Sequence, residues 1–293
     1  MSVIVLGSHG QLAQHLRLVL PRADFWGRAE VDFTNSPQLL QRLLSAGPAA
    51  IINAAAYTAV DRAESEPALA WQSNAEAPAA MARAAATLDV PLVQVSTDYV
   101  FDGVGDRPYR ETDPVGPASV YGRTKLGGEL AVQSLCKKYW ILRTSWVFSP
   151  FGSNFVKTIL RLARERPELR IVNDQRGCPT YAGDLARLIA TLLSNTSAPP
   201  AIPWGLHHAT GGPAVSWHEF ATEICALSRR IGLIERLPEI RGIPTTEYPT
   251  PAKRPMNSVL QPSASLGEAA KLSFDWRAGL EQALLAVASA KEL

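Results

Sequence analysis

Short unbroken apolar runs alternate along this chain with longer stretches whose apolar residues recur at helical spacing. Val3–Leu6, Ala49–Ile52, Pro91–Val95 and Trp140–Leu142 are runs of the first kind, bounded by polar or turn residues, as strands buried on both faces must be. Gln11–Leu20, Pro37–Ser45, Pro67–Leu88 and Val120–Lys138 are of the second kind, rich in Ala, Leu, Gln and Glu, and predict helices. Strand–helix alternation of this sort predicts an α/β fold with a doubly wound parallel sheet and right-handed crossovers.

After residue 145 the rhythm loosens. Asn154–Arg166, Tyr181–Leu193 and Ser216–Arg230 predict helices, the last opened by Ser216 with Glu219 three residues on, a capping-box pattern. Leu169–Val172 and Gly205–His208 predict short strands, and Pro238–Pro262, rich in Pro, Thr and Ser, predicts a long loop. This organisation suggests a first domain over 1–145, with segments at about 169–195 and 205–208 returning to it, and a smaller lobe formed mainly by 146–293.

Composition narrows the function. Of 293 residues 46% are hydrophobic and 19% charged, enough for a sizeable core, and the net charge of +2 comes without any block of Lys or Arg. Neither nucleic acid nor an anionic membrane is implied as a partner. Cys136, Cys178 and Cys225 are scattered without a C-x-x-C pair, so they read as reduced core or near-surface thiols rather than a disulfide or zinc framework. No signal-like leader precedes the first strand and no apolar run reaches the ~18 residues of a membrane span. The expected location is the cytoplasm.

The candidate chemistry sits where strands should end. Gly7-Ser8-His9-Gly10-Gln11-Leu12-Ala13 follows the first strand and opens the first helix. Glycines there permit a tight turn and close approach of backbone to a diphosphate resting on the helix N-terminus, the Rossmann arrangement. Near the end of the second strand, Arg28 stands where an acidic residue would hold the ribose 2′-hydroxyl of NAD. An arginine suits a 2′-phosphate, which favours NADPH while leaving NADH open. Asp32 and Phe33 are placed to flank the adenine. Asn53-Ala54-Ala55-Ala56-Tyr57-Thr58 follows the third strand; its small residues serve equally a close ligand or a tight packing turn.

Ser96-Thr97-Asp98-Tyr99 comes after the fourth strand, and Tyr121-Gly122-Arg123-Thr124-Lys125 opens a predicted helix. Residues i and i+4 share a helix face, so the phenol and the ammonium can meet one ligand. A phenol of pKa near ~10 must shift by roughly three units, or ~4 kcal/mol, to titrate near neutrality, and a neighbouring Lys⁺ supplies part of that. Alone, Y-x-x-x-K is usually a solvated helix face. Downstream of a glycine turn and a Ser-Thr at a strand end, it reads as a proton-transfer pair.

With Arg143-Thr144-Ser145-Trp146-Val147-Phe148, Asn173-Asp174-Gln175 with Gly177 and Pro179-Thr180, and Arg254-Pro255-Met256-Asn257-Ser258 added to these motifs, the chain resembles the extended short-chain dehydrogenase/reductases. Within them it is similar, over almost its whole length, to the family of dTDP-4-dehydrorhamnose reductases. That resemblance implies NAD(P)H-dependent reduction of the C4 ketone of dTDP-4-dehydro-β-L-rhamnose to dTDP-L-rhamnose. It implies that Tyr121 donates the proton, that Lys125 holds the nicotinamide ribose and lowers the phenol pKa, and that Thr97 bonds the reacting oxygen. By the same likeness Gly10, Gln11, Leu12, Asp32, Phe33, Ala56, Tyr57 and Thr58 touch the cofactor, with Gly7 in the turn. Thr97, Asp98 and Trp146 touch the nucleotide sugar, and Arg254 and Asn257 help hold it from the C-terminal lobe.

Tyr99 stands where dehydratase relatives carry a glutamate, so a base for water elimination is not expected. Some relatives dimerise through Mg²⁺ held by glutamates, one on the first helix. His15 takes that position here, which implies no metal site and a monomer or weak homodimer. His15 is expected on the helix surface, and His207, His208, Trp204 and Trp217 in packing or surface roles. Two other functions share the same motifs: a nucleotide-sugar 4-epimerase, and a non-catalytic NADP-binding subunit of the methionine adenosyltransferase type.

Overall fold

The computed structural model describes residues 2–194, 196, 200–266 and 274–290. Six strands form one parallel sheet: Val3–Leu6 (β1), Asp24–Trp26 (β2), Ala50–Asn53 (β3), Leu92–Thr97 (β4), Tyr139–Thr144 (β5) and a late strand that comes back to its edge. Helices Gln11–Val19 (α1), Ser36–Ala46 (α2), Val60–Ala63 (α3), Pro67–Trp71 (α4), Ala77–Leu88 (α5) and Val120–Leu135 (α6) make the crossovers. Side-chain alternation along each strand divides the core in two. Ile4, Leu6, Ile51, Leu92 and Ile141 face α2, α5 and α6, while Val5, Ile52, Val93, Trp140 and Leu142 face the opposite layer. Both sets are sealed from water, which is why these strands carry unbroken apolar runs.

The second half contributes Val147–Phe148 (β6), Phe155–Glu165 (α7), Glu168–Val172 (β7), Arg176–Gly177 (β8), Thr180–Tyr181 (β9) and Ala182–Ser194 (α8). After these come Gly205–His208 (β10), Val215–Ser216 (β11), Trp217–Arg230 (α9), Glu239–Ile243 (β12) and Trp276–Ser289 (α10). The large sheet runs β10-β5-β4-β3-β1-β2. Helix α8 packs on α1 and completes the second layer with Leu185, Leu188, Ile189 and Leu192. A separate core joins α7, α9 and α10 around Phe148, Phe220, Trp276 and Leu280. Ser216 and Glu219 form the reciprocal capping box at the start of α9.

Two expectations need correction, and one helix has no sequence-based counterpart. The stretch 238–262 is not loop throughout: β12 lies inside it and pairs in parallel with β7, Glu239 opposite Glu168 and Ile243 opposite Val172. Its burial alternates, with Glu239 and Arg241 exposed, so a five-residue strand among prolines carried little apolar signal. The stretch 67–88 is not one regular helix, because a π-helical segment, Gln72–Glu76, separates α4 from α5. Helix α10 has no counterpart among the sequence-based elements. Among the described residues no helix is long and apolar enough to cross a membrane.

Candidate active site

All six strands being parallel, their carboxyl ends share one rim. Strand order reverses between β1 and β3, which opens a crevice there. Gly7 sits at that crevice with φ +106, a backbone region that disfavours side chains, and a Cβ on it would come within 2.9 Å of Ala54 C and Ala55 N. The chain after β3 therefore passes directly over the glycine turn. Gly10 is the N-cap of α1 and no side chain caps that helix. Its opening N–H groups suit a diphosphate, so the turn fits a dinucleotide.

The other proposed cofactor residues surround this turn unevenly. Leu12 is buried in the core behind it. Gln11 accepts from Asn154 Nδ2 at 2.8 Å and thereby ties α1 to the segment before α7. Arg28 is exposed after β2. Asp32 accepts from the Thr34 N–H and hydroxyl, which hold its carboxyl below the usual range, and Phe33 packs at the edge of the core. Ala56 is half-buried and Thr58 exposed. Tyr57 Oη donates to Glu66 Oε2 at 2.5 Å.

One residue that sequence reasoning passed over organises this region. Asn74, in the π-helical segment, accepts from Tyr57 N at 2.8 Å and donates from Nδ2 to Tyr57 O and Thr124 Oγ1, each at 3.1 Å. It is 1% exposed, and it links the loop after β3 to the helix that carries Tyr121 and Lys125. An isolated amide in an Ala-rich helical stretch was its only signal.

Helix α6 begins at the Ser119 cap, whose Oγ accepts from Gly122 N at 3.1 Å. Gly122 is pressed against the turn after β4; a Cβ there would lie 2.2 Å from Tyr99 O. This contact sets Tyr121 against the turn that carries Thr97, its ring edge-on to Tyr99 with centroids 5.7 Å apart, and the Thr97 hydroxyl pulls the phenol pKa down. Thr97 Oγ1 also donates to Asp98 Oδ1 at 2.9 Å and accepts from Tyr99 N at 3.2 Å. Burial pushes the Asp98 carboxyl up to about 6. Lys125, 3% exposed, donates from Nζ to Val95 O at 2.8 Å. Burial lowers it to about 8, with Glu129 acting in the opposite sense.

Burial of the phenol opposes the expected depression of its pKa in this arrangement. Burial pushes Tyr121 up to about 12 and the charge of Asp98 adds to the rise, with only Thr97 pulling it down. The ammonium one turn away is directed at a β4 carbonyl instead.

On the lobe side, Trp146 is held at φ +46 and stacks on Trp217, ring centroids 3.3 Å apart and planes 4° from parallel. Gly177 passes beneath it, where a Cβ would lie 2.4 Å from Trp146 Cε2. Trp217, expected only to pack, is thus the backing of a candidate sugar contact. Arg254 Nη2 bonds Asp61 Oδ2 at 2.7 Å, and its Nη1 is buried without a hydrogen-bond partner. Asn257 is placed differently from the expectation. Its amide donates to Gly105 O and Arg107 O at 2.8 and 2.9 Å and its oxygen accepts from Val259 N at 3.1 Å. It braces the 103–109 loop and has no donor left to present to a ligand.

His15 is also corrected. It is 6% exposed because α8 and the 149–151 segment cover α1, and it lies edge-on to Phe151 and Tyr181. Burial, then Arg187, lowers it to about 4. His207 and His208 bond Pro203 O and Gln261 O, and Trp204 packs on Trp140. All three thiols are free and buried. Among the described residues no group of three or more His, Cys, Asp or Glu is arranged to hold a metal ion.

The family model described as "RmlD substrate binding domain" matches residues 1–289. The chain belongs to this family. Its similarity to curated members is extensive: it is 40% identical to a dTDP-4-dehydrorhamnose reductase of Shigella flexneri over 295 aligned positions, which cover 97% of each chain. Among solved structures, the family's dTDP-4-dehydrorhamnose reductase from Clostridium acetobutylicum superposes with a TM-score of 0.88 at 35% identity, covering 98% of this chain and 99% of that one. The Bacillus anthracis dTDP-4-dehydrorhamnose reductase, solved in complex with NADP, superposes with a TM-score of 0.87 at 34% identity, covering 98% and 100%. Family membership makes this chain an oxidoreductase on an extended short-chain dehydrogenase/reductase fold.

Proposed function

We propose that this chain reduces the C4 ketone of dTDP-4-dehydro-β-L-rhamnose with NADPH, giving dTDP-L-rhamnose, the final step in making that sugar donor. The observation that carries the reading is the close packing of Gly122 on Tyr99 O, which sets Tyr121 against the turn carrying Thr97, with Lys125 one turn further on, on the rim that also carries the glycine turn. When bound, NADPH supplies the hydride that the ketone carbon receives. Tyr121 Oη gives its proton to the ketone oxygen, and Thr97 orients that oxygen. Lys125 holds the ribose and, as a cation one turn away on the same helix, favours the phenolate that the transfer leaves behind.

Gly7, Gly10 and the α1 N-terminus take the diphosphate, and Arg28 the 2′-phosphate. Arg254, with a free buried N–H, takes an anionic part of the nucleotide sugar, and the Trp146–Trp217 stack forms a flat apolar wall for the hexulose. Asp61 sets the position of Arg254. The test is stoichiometric: the purified protein should consume one NADPH per dTDP-4-keto sugar and form dTDP-rhamnose. An epimerised sugar with no net loss of NADPH absorbance would replace this reading with cofactor-recycling chemistry.

A further inference from the structure

The turn that leaves β2 carries a carboxylate as well as the arginine assigned to the 2′-phosphate. Gly27 follows Trp26, the last residue of β2, and Glu30 N donates to Gly27 O at 3.1 Å, closing a four-residue turn. The Glu30 side chain folds back on the same glycine, with Oε2 accepting from Gly27 N at 2.6 Å. Its backbone carbonyl accepts from Arg42 Nη1 on α2, and the Arg42 guanidinium lies 5.4 Å over the Trp26 ring. Glu30 is therefore held at both ends and is half-buried. Among the described residues none donates to its second oxygen, Oε1.

This carboxylate borders the turn that fits the coenzyme diphosphate. A Cβ on Gly27 would stand 2.2 Å from Ser8 Oγ and 3.5 Å from Glu30 Oε2, so one bare glycine lies between the acid and the Gly7–Gly10 turn. Gly7 N donates to Trp26 O at 2.8 Å and ties the two turns together. In dinucleotide folds the adenosine ribose comes to the end of the second strand, where an acid bonds its 2′-hydroxyl and an arginine accommodates a 2′-phosphate. The arginine is legible in the sequence. The acid is not, because it lies four residues past the strand and reaches its end only through the turn. Arg28 and Glu30, two residues apart and opposite in charge, do not neutralise one another: among the described residues neither joins an ion pair. Asp32, the next acid along, accepts from Thr34 instead.

We propose that Glu30 is a specificity-determining residue: its Oε1 accepts from the 2′-hydroxyl of NADH, so that one turn serves both coenzymes, Arg28 taking the phosphate of one and Glu30 the hydroxyl of the other. This rests on the reading of the chain as a nicotinamide-dependent reductase whose glycine turn holds the diphosphate. A carboxylate is a strong acceptor for a hydroxyl, and its charge repels a phosphate. NADH meets an acceptor already fixed in place by Gly27 and Arg42. NADPH meets Arg28 but also the negative charge beside it. Glu30 thereby narrows the preference for NADPH that Arg28 creates.

The experiment measures coenzyme binding itself. Fluorescence titrations of the whole protein with NADPH and with NADH are compared for the wild type, Glu30→Gln and Glu30→Ala, alongside kcat/KM for ketone reduction with each coenzyme. A glutamine bonded through its oxygen to Gly27 N keeps the turn closed and presents an amide donor where Oε1 was. Glu30→Gln should weaken NADH by about tenfold or more, the loss expected for one charge-assisted hydrogen bond, and leave NADPH as tight as in the wild type or tighter. Glu30→Ala should shift the ratio of the two affinities in the same direction, and it decides the matter where the glutamine variant does not fold. A variant with a wild-type melting curve that weakens both coenzymes alike, or neither, shows that Glu30 only caps its turn and overturns the proposal. A wild type that binds both coenzymes and reduces no ketone overturns the assigned reaction, and the binding ratio still judges Glu30. A wild type that binds neither overturns both.

Discussion

Tyr121→Phe removes one hydroxyl from the centre of the site and nothing else. Proton donation by a positioned acid is typically worth 10²–10⁴ in rate, about 3–5 kcal/mol of barrier. Folding should hardly notice the change. Thr97 keeps its bonds to Asp98 Oδ1 and Tyr99 N, so no buried polar group is orphaned and the loss stays at about 1 kcal/mol or less. Cofactor affinity should also hold, because the glycine turn and Lys125 are untouched. Stopped-flow absorbance at saturating NADPH and dTDP-4-keto sugar reads kcat; a fluorescence titration reads NADPH binding; a melting curve controls for folding. The wild-type profile carries a second signature. The phenol is held at about 12 and Lys125 at about 8, so the alkaline limb should fall near the lysine value, and Tyr121→Phe should lower the plateau without moving that limb. A variant that keeps kcat within about threefold of wild type would refute Tyr121 as the acid, because that is far below the range for general acid catalysis.

Other substitutions separate the remaining roles. Gly7→Ala should abolish NADPH binding in the same titration, since its Cβ collides with Ala54 backbone at 2.9 Å in a strained φ. Arg28→Ala should raise KM for NADPH by roughly 10–100-fold and leave KM for NADH unchanged, the loss expected for one charged contact to a phosphate. His15→Gln should flatten the acid side of the stability profile. The folded-state His15 is lowered to about 4 from 6.5, so its contribution is complete above pH ~6.5 and is lost as pH falls towards 4, a total of roughly 3 kcal/mol. Denaturant melts of wild type and variant at pH 7 and pH 4.5 measure the difference, and parallel curves at both would show that His15 does not titrate on unfolding.

What the sequence made legible was local. Val3–Leu6, the glycine turn and the Tyr121–Lys125 spacing each lie within one or two turns of chain, and both the strand and the pair stand where periodicity put them. What it concealed depends on partners far along the chain. His15 looks like a surface position until α8, more than 160 residues later, covers α1. Asn257 looks like a ligand-facing amide until the 103–109 loop takes its donors. Asn74 and Trp217 are ordinary letters in helical stretches. Their meaning comes from Tyr57 and Trp146, which only the packing of the π-helical segment on the loop after β3, and of the lobe on the rim, brings within reach.

The electrostatics of the rim bear on the direction of the chemistry. Oxidising an alcohol requires Tyr121 to begin as phenolate, a form that burial disfavours. Reduction begins from the phenol and leaves that same phenolate, so its cost is met by the basicity of the alkoxide that takes the proton. Asp98 works the same way: whenever it is ionised, its charge next to the Thr97–Tyr121 contact raises the cost of the phenolate further. Lys125 is the countervailing cation, and its ammonium is seated on Val95 O. The protonated acid is therefore the resting state of this site, and the proton leaves when a developing alkoxide, a far stronger base than a ketone, arrives within reach of Thr97.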